Sequence, residues 1–205
     1  MSILDQLIHL MLARVEVKPV PKAELDAFLI QNHLQLCEEH YQFLLQYGNS
    51  DFLKGDFADL RFEEFKDYTL YDEFPEELKL PENCSYIGMD FNDELLCIDN
   101  YDKKIYTFDY GEKYEKFYYG GLKELLFFCL FKLLYKKNYF NEVKDNIRIN
   151  NIEQFKQQYL AYEIKDVYIY DRYFFKEGEL IICDHEFYSY HLCQGGILDQ
   201  VITND

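Results

Sequence analysis

The segment YIGMDFNDELLCIDNYDKKIYTFDY, residues 86–110, decides the fold. It contains β-rich runs at Leu95–Asp99 and Ile105–Asp109, and a further run at Ser85–Ile87 overlaps its beginning. The five residues NYDKK that separate the first two runs have the length of a hairpin loop. We therefore predict a meander of short antiparallel strands.

Apolar residues at helical spacing lie on both sides of this meander. Upstream, Ser2 is a suitable N-cap for the first helix, and Gly48 is expected to supply a left-handed C-terminal cap for the third. Downstream, Asn151 is suitable as the N-cap of the last helix. The predicted helices cover residues 2–14, 22–33, 38–47, 122–137 and 152–161.

The last quarter of the chain adds three β-rich runs, VYIYDRYFF, ELIICD and FYSYHLC. The length of 205 residues suits one domain with an extension, or at most two small domains. We predict an α+β protein, in which a short antiparallel sheet is flanked by helices and followed by an α/β C-terminal extension. The predicted segments are an N-terminal helix and linker at 1–19, a core at 20–138, and an extension at 139–205 that packs on the same sheet.

The composition is strongly acidic. Lys and Arg number 21 against 38 Asp and Glu, which gives a formal charge of −17. Such a field repels phosphate backbones, so nucleic acid and anionic membranes are not expected as partners, whereas a basic protein is. Residues 51–100 alone carry 15 acids and four bases among many Phe, Leu and Tyr residues. These acids form either a dedicated binding face or an ordinary solvated surface.

The cysteines and the apolar segments indicate a cytoplasmic protein. The six cysteines are far apart and lie mostly in apolar runs, as is typical of reduced, buried thiols. The first residues lack the basic leader and cleavage site of a signal peptide. The most apolar stretch, residues 122–135, contains Lys123, Glu124 and Lys132 and is too short to span a bilayer.

Motifs for catalysis are missing from the sequence. No serine lies in a GxSxG setting, no cysteine has a recognisable catalytic signature, and no phosphate-binding glycine loop is present. We therefore expect neither an enzyme nor a cofactor. A hydrolase that draws two acids from distant strands stays open, and a deep cleft with two facing acids would favour it.

One cluster, CDHEFYSYHLC, has the residue types of a zinc site in Cys183, His185, His191 and Cys193. A tight turn at residues 185–186 would place Cys183 near Tyr188, and the four side chains would not converge. A looser turn across residues 187–189 would place Cys183 opposite Cys193. We favour ordinary strand residues over this alternative and predict no metal.

The order of these signals resembles the SUKH superfamily over residues 20–138. The family pattern has an acid and a Tyr at the start of a helix, then an Ile-Gly-x-Asp turn, a Leu-Leu-Cys-Ile-Asp strand, a hairpin and a closing helix. Cys37 stands where the family commonly has Pro. The matching residues are Leu36, Glu38, Tyr41, Ile87, Gly88, Asp90, Leu95, Cys97, Asp99, Tyr106 and Phe108.

The resemblance implies a bacterial immunity protein that binds and blocks a cognate toxin, often a nuclease, without catalysis. A basic toxin domain suits the acidic composition, because opposite charges accelerate association. The alternative is an intracellular regulatory or scaffold protein of the same superfamily. The sequence indicates no oligomeric state. We predict that the partner-binding residues are Asp51, Asp56, Asp59, Asp72, Glu73, Asp90, Asp93, Glu94 and Asp102.

Three of the matching residues also have predicted architectural roles. Gly88 is expected to relax the backbone, since glycine tolerates conformations that other residues avoid. Asp90 and Asp99 are expected to hold turns through their side chains.

Overall fold

A computed structural model describes residues 1–55, 58–70, 75–90 and 92–202 of the chain. In these residues, α-helices and antiparallel strands form the α+β fold that the sequence predicts. The helices are α1 (Ile3–Leu12), α2 (Lys22–Gln31), α3 (Glu38–Tyr47), α4 (Phe62–Thr69), α5 (Leu122–Lys136) and α6 (Ile152–Tyr159). The strands are β1 (Lys54–Gly55), β2 (Ala58–Asp59), β3 (Cys84–Asp90), β4 (Leu95–Asp99), β5 (Ile105–Asp109), β6 (Glu112–Lys113), β7 (Glu142–Arg148), β8 (Glu163–Ile164), β9 (Asp171–Lys176), β10 (Glu179–Asp184) and β11 (Ser189–Gln194).

The chain forms two compact units. One, the continuous unit, is Val15–Leu122; the other, the discontinuous unit, joins Met1–Arg14 to Lys123–Asp205. Helix α1 belongs to the second because the Gln6 side chain donates to the Ile202 carbonyl at 3.0 Å and accepts from its N–H at 2.9 Å. The predicted segments 1–19, 20–138 and 139–205 divide the chain differently, since they separate α1 and α5 from the C-terminal strands.

The continuous unit is a six-stranded antiparallel sheet in the order β1-β2-β3-β4-β5-β6, with helices α2 to α4 on one face. Alternation along the strands turns Tyr86, Cys97 and Tyr106 toward these helices, where they pack with Leu25 and Phe62. Burial of this face supplies the main stabilisation of the unit. The predicted meander is confirmed.

Gly48 does not adopt the left-handed conformation that we predicted. Its φ is −59°, so it continues the right-handed helix and its N–H donates to the Leu44 carbonyl. The reason for glycine is close packing, because an added Cβ would lie 2.7 Å from Cγ2 of Val20. The Val20 N–H donates to the same Leu44 carbonyl, which fixes this approach.

Gly88 has the backbone role predicted for it. Its φ is +140°, and an added Cβ would lie 2.2 Å from the carbonyl oxygen of Asp59. The register shifts between Tyr86 and Gly88, so the β3–β4 pairing contains an irregularity there. Glycine therefore allows β2 to pair against β3 at this point.

The discontinuous unit has its own antiparallel sheet, in the order β7-β11-β10-β9-β8. The described strands of the extension 139–205 thus pair with one another in this sheet. The buried Tyr173 contacts Phe127 of α5 with ring centroids 5.7 Å apart, and its neighbour Phe174 contacts Phe155 of α6 at 5.9 Å. Successive residues of a strand point to opposite faces, so α5 and α6 cover opposite faces of this sheet.

Candidate functional site

The negative charge is concentrated in one of the two units. The continuous unit contains 10 Lys and Arg and 24 Asp and Glu, a formal charge of −14. The discontinuous unit contains 11 Lys and Arg and 14 Asp and Glu, a formal charge of −3. A strong negative field therefore surrounds Val15–Leu122.

Two of the predicted partner-binding acids are paired with bases of the same unit. Asp51 lies 2.6 Å from Nζ of Lys18, and the hydrogen bond from this ammonium lowers the pKa of Asp51. Asp59 accepts from Nε and Nη2 of Arg61 at 3.0 and 2.9 Å. The Asp59–Arg61 pair is the firmer of the two, since both side chains are largely buried and the contact is bidentate.

Asp90 is buried and holds the turn between β3 and β4. Its Oδ1 accepts from the N–H groups of Asn92 and Glu94 at 2.8 and 3.0 Å. Its Oδ2 accepts from the Tyr118 hydroxyl at 2.8 Å. The turn prediction for Asp90 is confirmed, and at 3% exposure its side chain is not available to a partner.

The turn between β4 and β5 is held in the same way. Asp99 accepts from the N–H of Tyr101 at 2.7 Å, which confirms its predicted turn role. Asp102 accepts from the N–H of Lys104 at 2.9 Å and from the Tyr106 hydroxyl at 2.7 Å. The Asp102 carboxylate, predicted to bind a partner, thus serves the hairpin as well.

Asp93 and Glu94 are the predicted acids that the structure leaves exposed and without a side-chain partner among the described residues. Both lie in the β3–β4 turn, where Asp93 has a φ of +60°. Partial burial and the nearby Asp90 carboxylate raise the pKa of Glu94. The remaining predicted acids, Asp56, Asp72 and Glu73, lie outside the described residues.

Further acids gather at the same end of the sheet. In an antiparallel meander the β3–β4 and β5–β6 turns lie at one end, about 10 Å apart because two strand spacings separate them. The exposed Tyr110 occupies the second turn, and its N–H donates to the Glu77 carbonyl at 3.2 Å. We name this surface the acidic end; its members are Glu76, Glu77, Asp93, Glu94, Asp109, Tyr110 and Glu112.

Of the residues at the acidic end, only Asp93 and Glu94 are among the predicted partner-binding acids. The signal was present in the tetrapeptide DYGE, residues 109–112, in which a glycine turn is flanked by two acids and contains a tyrosine. The contact between Tyr110 and Glu77 joins residues 33 positions apart, and no local pattern indicates it.

The zinc alternative is wrong in its register. Cys183 pairs with Tyr190, His191 with Ile182, and Cys193 with Leu180. His191 and Cys193 therefore lie on the face of the sheet opposite to Cys183. Burial raises the pKa of each of these two thiols to about 12. Among the described residues no group of three or more His, Cys, Asp or Glu side chains is arranged to hold a metal ion.

A polar cavity of ≈ 270 Å³ lies between α5 and the sheet of the discontinuous unit, lined by Tyr135, Asp171 and His191. Nδ1 of His191 lies 2.8 Å from Asp145, which also accepts from the Tyr135 hydroxyl; these contacts lower the pKa of Asp145. Burial raises the pKa of Asp171. Among the described residues that line this cavity, Asp171 is the one carboxylate. The lining therefore does not contain the two facing acids that a hydrolase would use.

No helix in the described ranges has the length and apolar character to cross a membrane. Comparison with family models, with curated proteins and with solved structures gives no match to this chain. The resemblance to the SUKH superfamily therefore stays a prediction.

Proposed function

We propose that this chain is an immunity protein that binds a basic toxin domain in the cytoplasm and neutralises it stoichiometrically, without catalysis. The observation that carries the proposal is the formal charge of −14 in the continuous unit against −3 in the other. A nuclease is the favoured toxin, because an enzyme that holds phosphate groups has a cationic groove that clustered carboxylates complement.

The acidic end is the proposed contact surface. Its carboxylates attract the toxin over a distance and act mainly on the association rate. Exposed aromatic side chains supply the area that a tight complex buries, and Tyr110 is 60% exposed within this surface. The acids Asp51, Asp59, Asp90 and Asp102 are bound internally and contribute less to the contact than the sequence predicts.

The proposal predicts that a neighbouring reading frame encodes a basic toxin domain. The test is protection of growing cells from that domain. Co-expression of the wild-type chain is expected to restore growth. A triple charge reversal at the acidic end, Glu94→Lys, Asp109→Lys and Glu112→Lys, is expected to abolish protection, because it replaces three attractive charges with three repulsive ones.

The matched control is a triple reversal in the discontinuous unit, Glu153→Lys, Glu186→Lys and Asp199→Lys, at exposed positions. It changes the net charge by the same amount and is expected to leave protection intact. Circular dichroism melting verifies that both variants are folded. Equal protection by the two variants, or no protection by the wild-type chain, would contradict the proposal.

A further inference from the structure

A second surface feature of the continuous unit is an open cavity of ≈ 370 Å³. It lies between α4, the segment that joins α2 to α3, and the start of β3. Its walls are mainly apolar and include Leu34, Leu36, Phe65, Tyr68 and Leu80. We name it the apolar groove. Its volume lies near the lower end of the range for ligand sites, about 300 to 1,000 Å³.

The groove is held open by contacts of its own walls. Tyr68 stacks on Tyr86 of β3 with ring centroids 3.7 Å apart, and its hydroxyl donates to the Leu78 carbonyl at 2.6 Å. The Tyr86 hydroxyl donates to Glu64 at 2.7 Å. Both tyrosine hydroxyls therefore donate hydrogen bonds to other groups of the protein, and the rings form part of the apolar lining. A preformed apolar site loses less entropy on binding than one that must be assembled.

Exposed acids occur in each chain segment that lines the groove. The exposed base on the lining is Lys79, and nearby Lys103 lies 3.5 Å from Glu39. Exposed acids of the described residues within four positions of a lining residue are Glu38, Glu39, Glu63, Asp67, Glu76, Glu77 and Glu82. An occupant that fits this surface combines an apolar side chain with flanking positive charge.

We propose that the apolar groove binds one large apolar side chain that is flanked by Lys or Arg residues in a basic protein partner. This inference rests on the proposed function, because the segment is taken to belong to the toxin. It adds that an apolar side chain of the toxin, bound in the groove, holds the complex together. A buried apolar side chain at the centre of a charged contact contributes most of the affinity in many interfaces, whereas the surrounding charges set the rate and the selectivity.

The probe is a capped Lys-Lys-Trp-Lys-Lys peptide. The chain contains no Trp, so the emission of the peptide reports directly on the environment of its indole. Titration with the wild-type protein at low salt is expected to shift the emission to shorter wavelength as the ring enters the groove. A Glu-Glu-Trp-Glu-Glu peptide and N-acetyltryptophanamide are expected to bind at least about tenfold more weakly than the Lys-flanked peptide. The acids near the groove repel the first probe, and the second has no positive charge for them to attract.

Two variants block the groove in different ways. Leu36→Arg places a like charge beside the incoming segment, and Thr69→Tyr fills the cavity with an aromatic ring. Each is expected to weaken peptide binding at least about tenfold. The matched control is Ile30→Arg, at an apolar position of α2 that is 75% exposed and outside the lining; it should change the affinity less than about twofold. Melting temperatures verify the fold of each variant.

The inference is overturned if the emission of bound peptide does not shift, if both blocking variants bind like the wild-type protein, or if the Glu-flanked peptide binds equally well. These outcomes are independent of the toxin. Loss of peptide binding with intact protection in cells overturns the groove alone. Specific peptide binding without protection in cells overturns the immunity function and leaves the groove as a site for basic, apolar segments.

Discussion

Replacement of His40 by Leu should make the stability of the protein much less sensitive to mild acid. His40 lies in α3, is 1% exposed, and packs edge-on against Phe65 with ring centroids 5.4 Å apart. Its Nδ1 has no hydrogen-bond partner among the described residues. Burial disfavours the charged imidazolium and lowers the pKa of His40 from 6.5 to about 3.

The sign and size of the effect follow from proton linkage. The unfolded chain binds a proton at His40 below pH 6.5, whereas the folded chain does so only near pH 3. The free energy of unfolding therefore decreases as the pH is lowered from 6.5 towards 3. Each pH unit in this window costs about 1.4 kcal/mol. From pH 7 to pH 5 the His40 contribution to the wild-type loss is about 2 kcal/mol.

The assay is urea unfolding followed by far-UV circular dichroism at pH 7 and pH 5. The His40→Leu variant should lose about 2 kcal/mol less than the wild-type protein over this interval. The exposed His9 provides the matched control, since His9→Gln should keep the wild-type pH dependence. An equal loss in the wild-type protein and in His40→Leu would refute the assignment of a buried, neutral imidazole.

Three further substitutions test the architecture by urea unfolding at pH 7. Gly88→Ala should destabilise the protein by about 3 kcal/mol or more, because its Cβ would meet the Asp59 carbonyl and its φ is left-handed; a loss under about 1 kcal/mol would contradict this packing. Asp90→Ala should lower the free energy of unfolding by about 2 to 4 kcal/mol, since it removes three accepted hydrogen bonds. The control Glu94→Ala, in the same turn, should lower it by under about 0.5 kcal/mol. Equal losses would show that Asp90 does not hold the turn. Ser2→Ala should cost about 1 kcal/mol by removing a capping box, and an unchanged midpoint would exclude that cap.

Local pattern predicted the elements that have strong periodicity of their own. The apolar spacing in α1, the hairpin of β4 and β5, and the all-round apolar α5 all appear within a few residues of their predicted bounds. Strand β7 was missed because the segment EVKDNIR has little alternation and is largely exposed. It is a strand because it pairs with β11, more than 40 residues away, and no local signal encodes that pairing.

In the candidate site, too, contacts between residues distant in the sequence could not be predicted from local pattern. Arg61 lies two residues after Asp59, so their pairing was accessible to a local argument. The bond from Tyr118 to Asp90 spans 28 residues, and the sequence does not indicate it. Asp90 holds the turn as predicted, but its carboxylate is buried and does not bind a partner as predicted. Composition gives the net charge of each unit, whereas the position and pairing of each carboxylate depend on contacts that only the fold creates.

The most direct test of the proposed function is stopped-flow association, at increasing salt, of the purified chain with the toxin domain that the proposal predicts in a neighbouring reading frame. Steering by the charge of the continuous unit predicts an association rate that falls at least about tenfold between about 25 and 250 mM NaCl. The acidic-end triple variant should begin near the high-salt rate, and the control triple should follow the wild-type curve. The central claim would be contradicted if the association rate did not change with salt and was the same for the wild-type chain and the acidic-end triple variant.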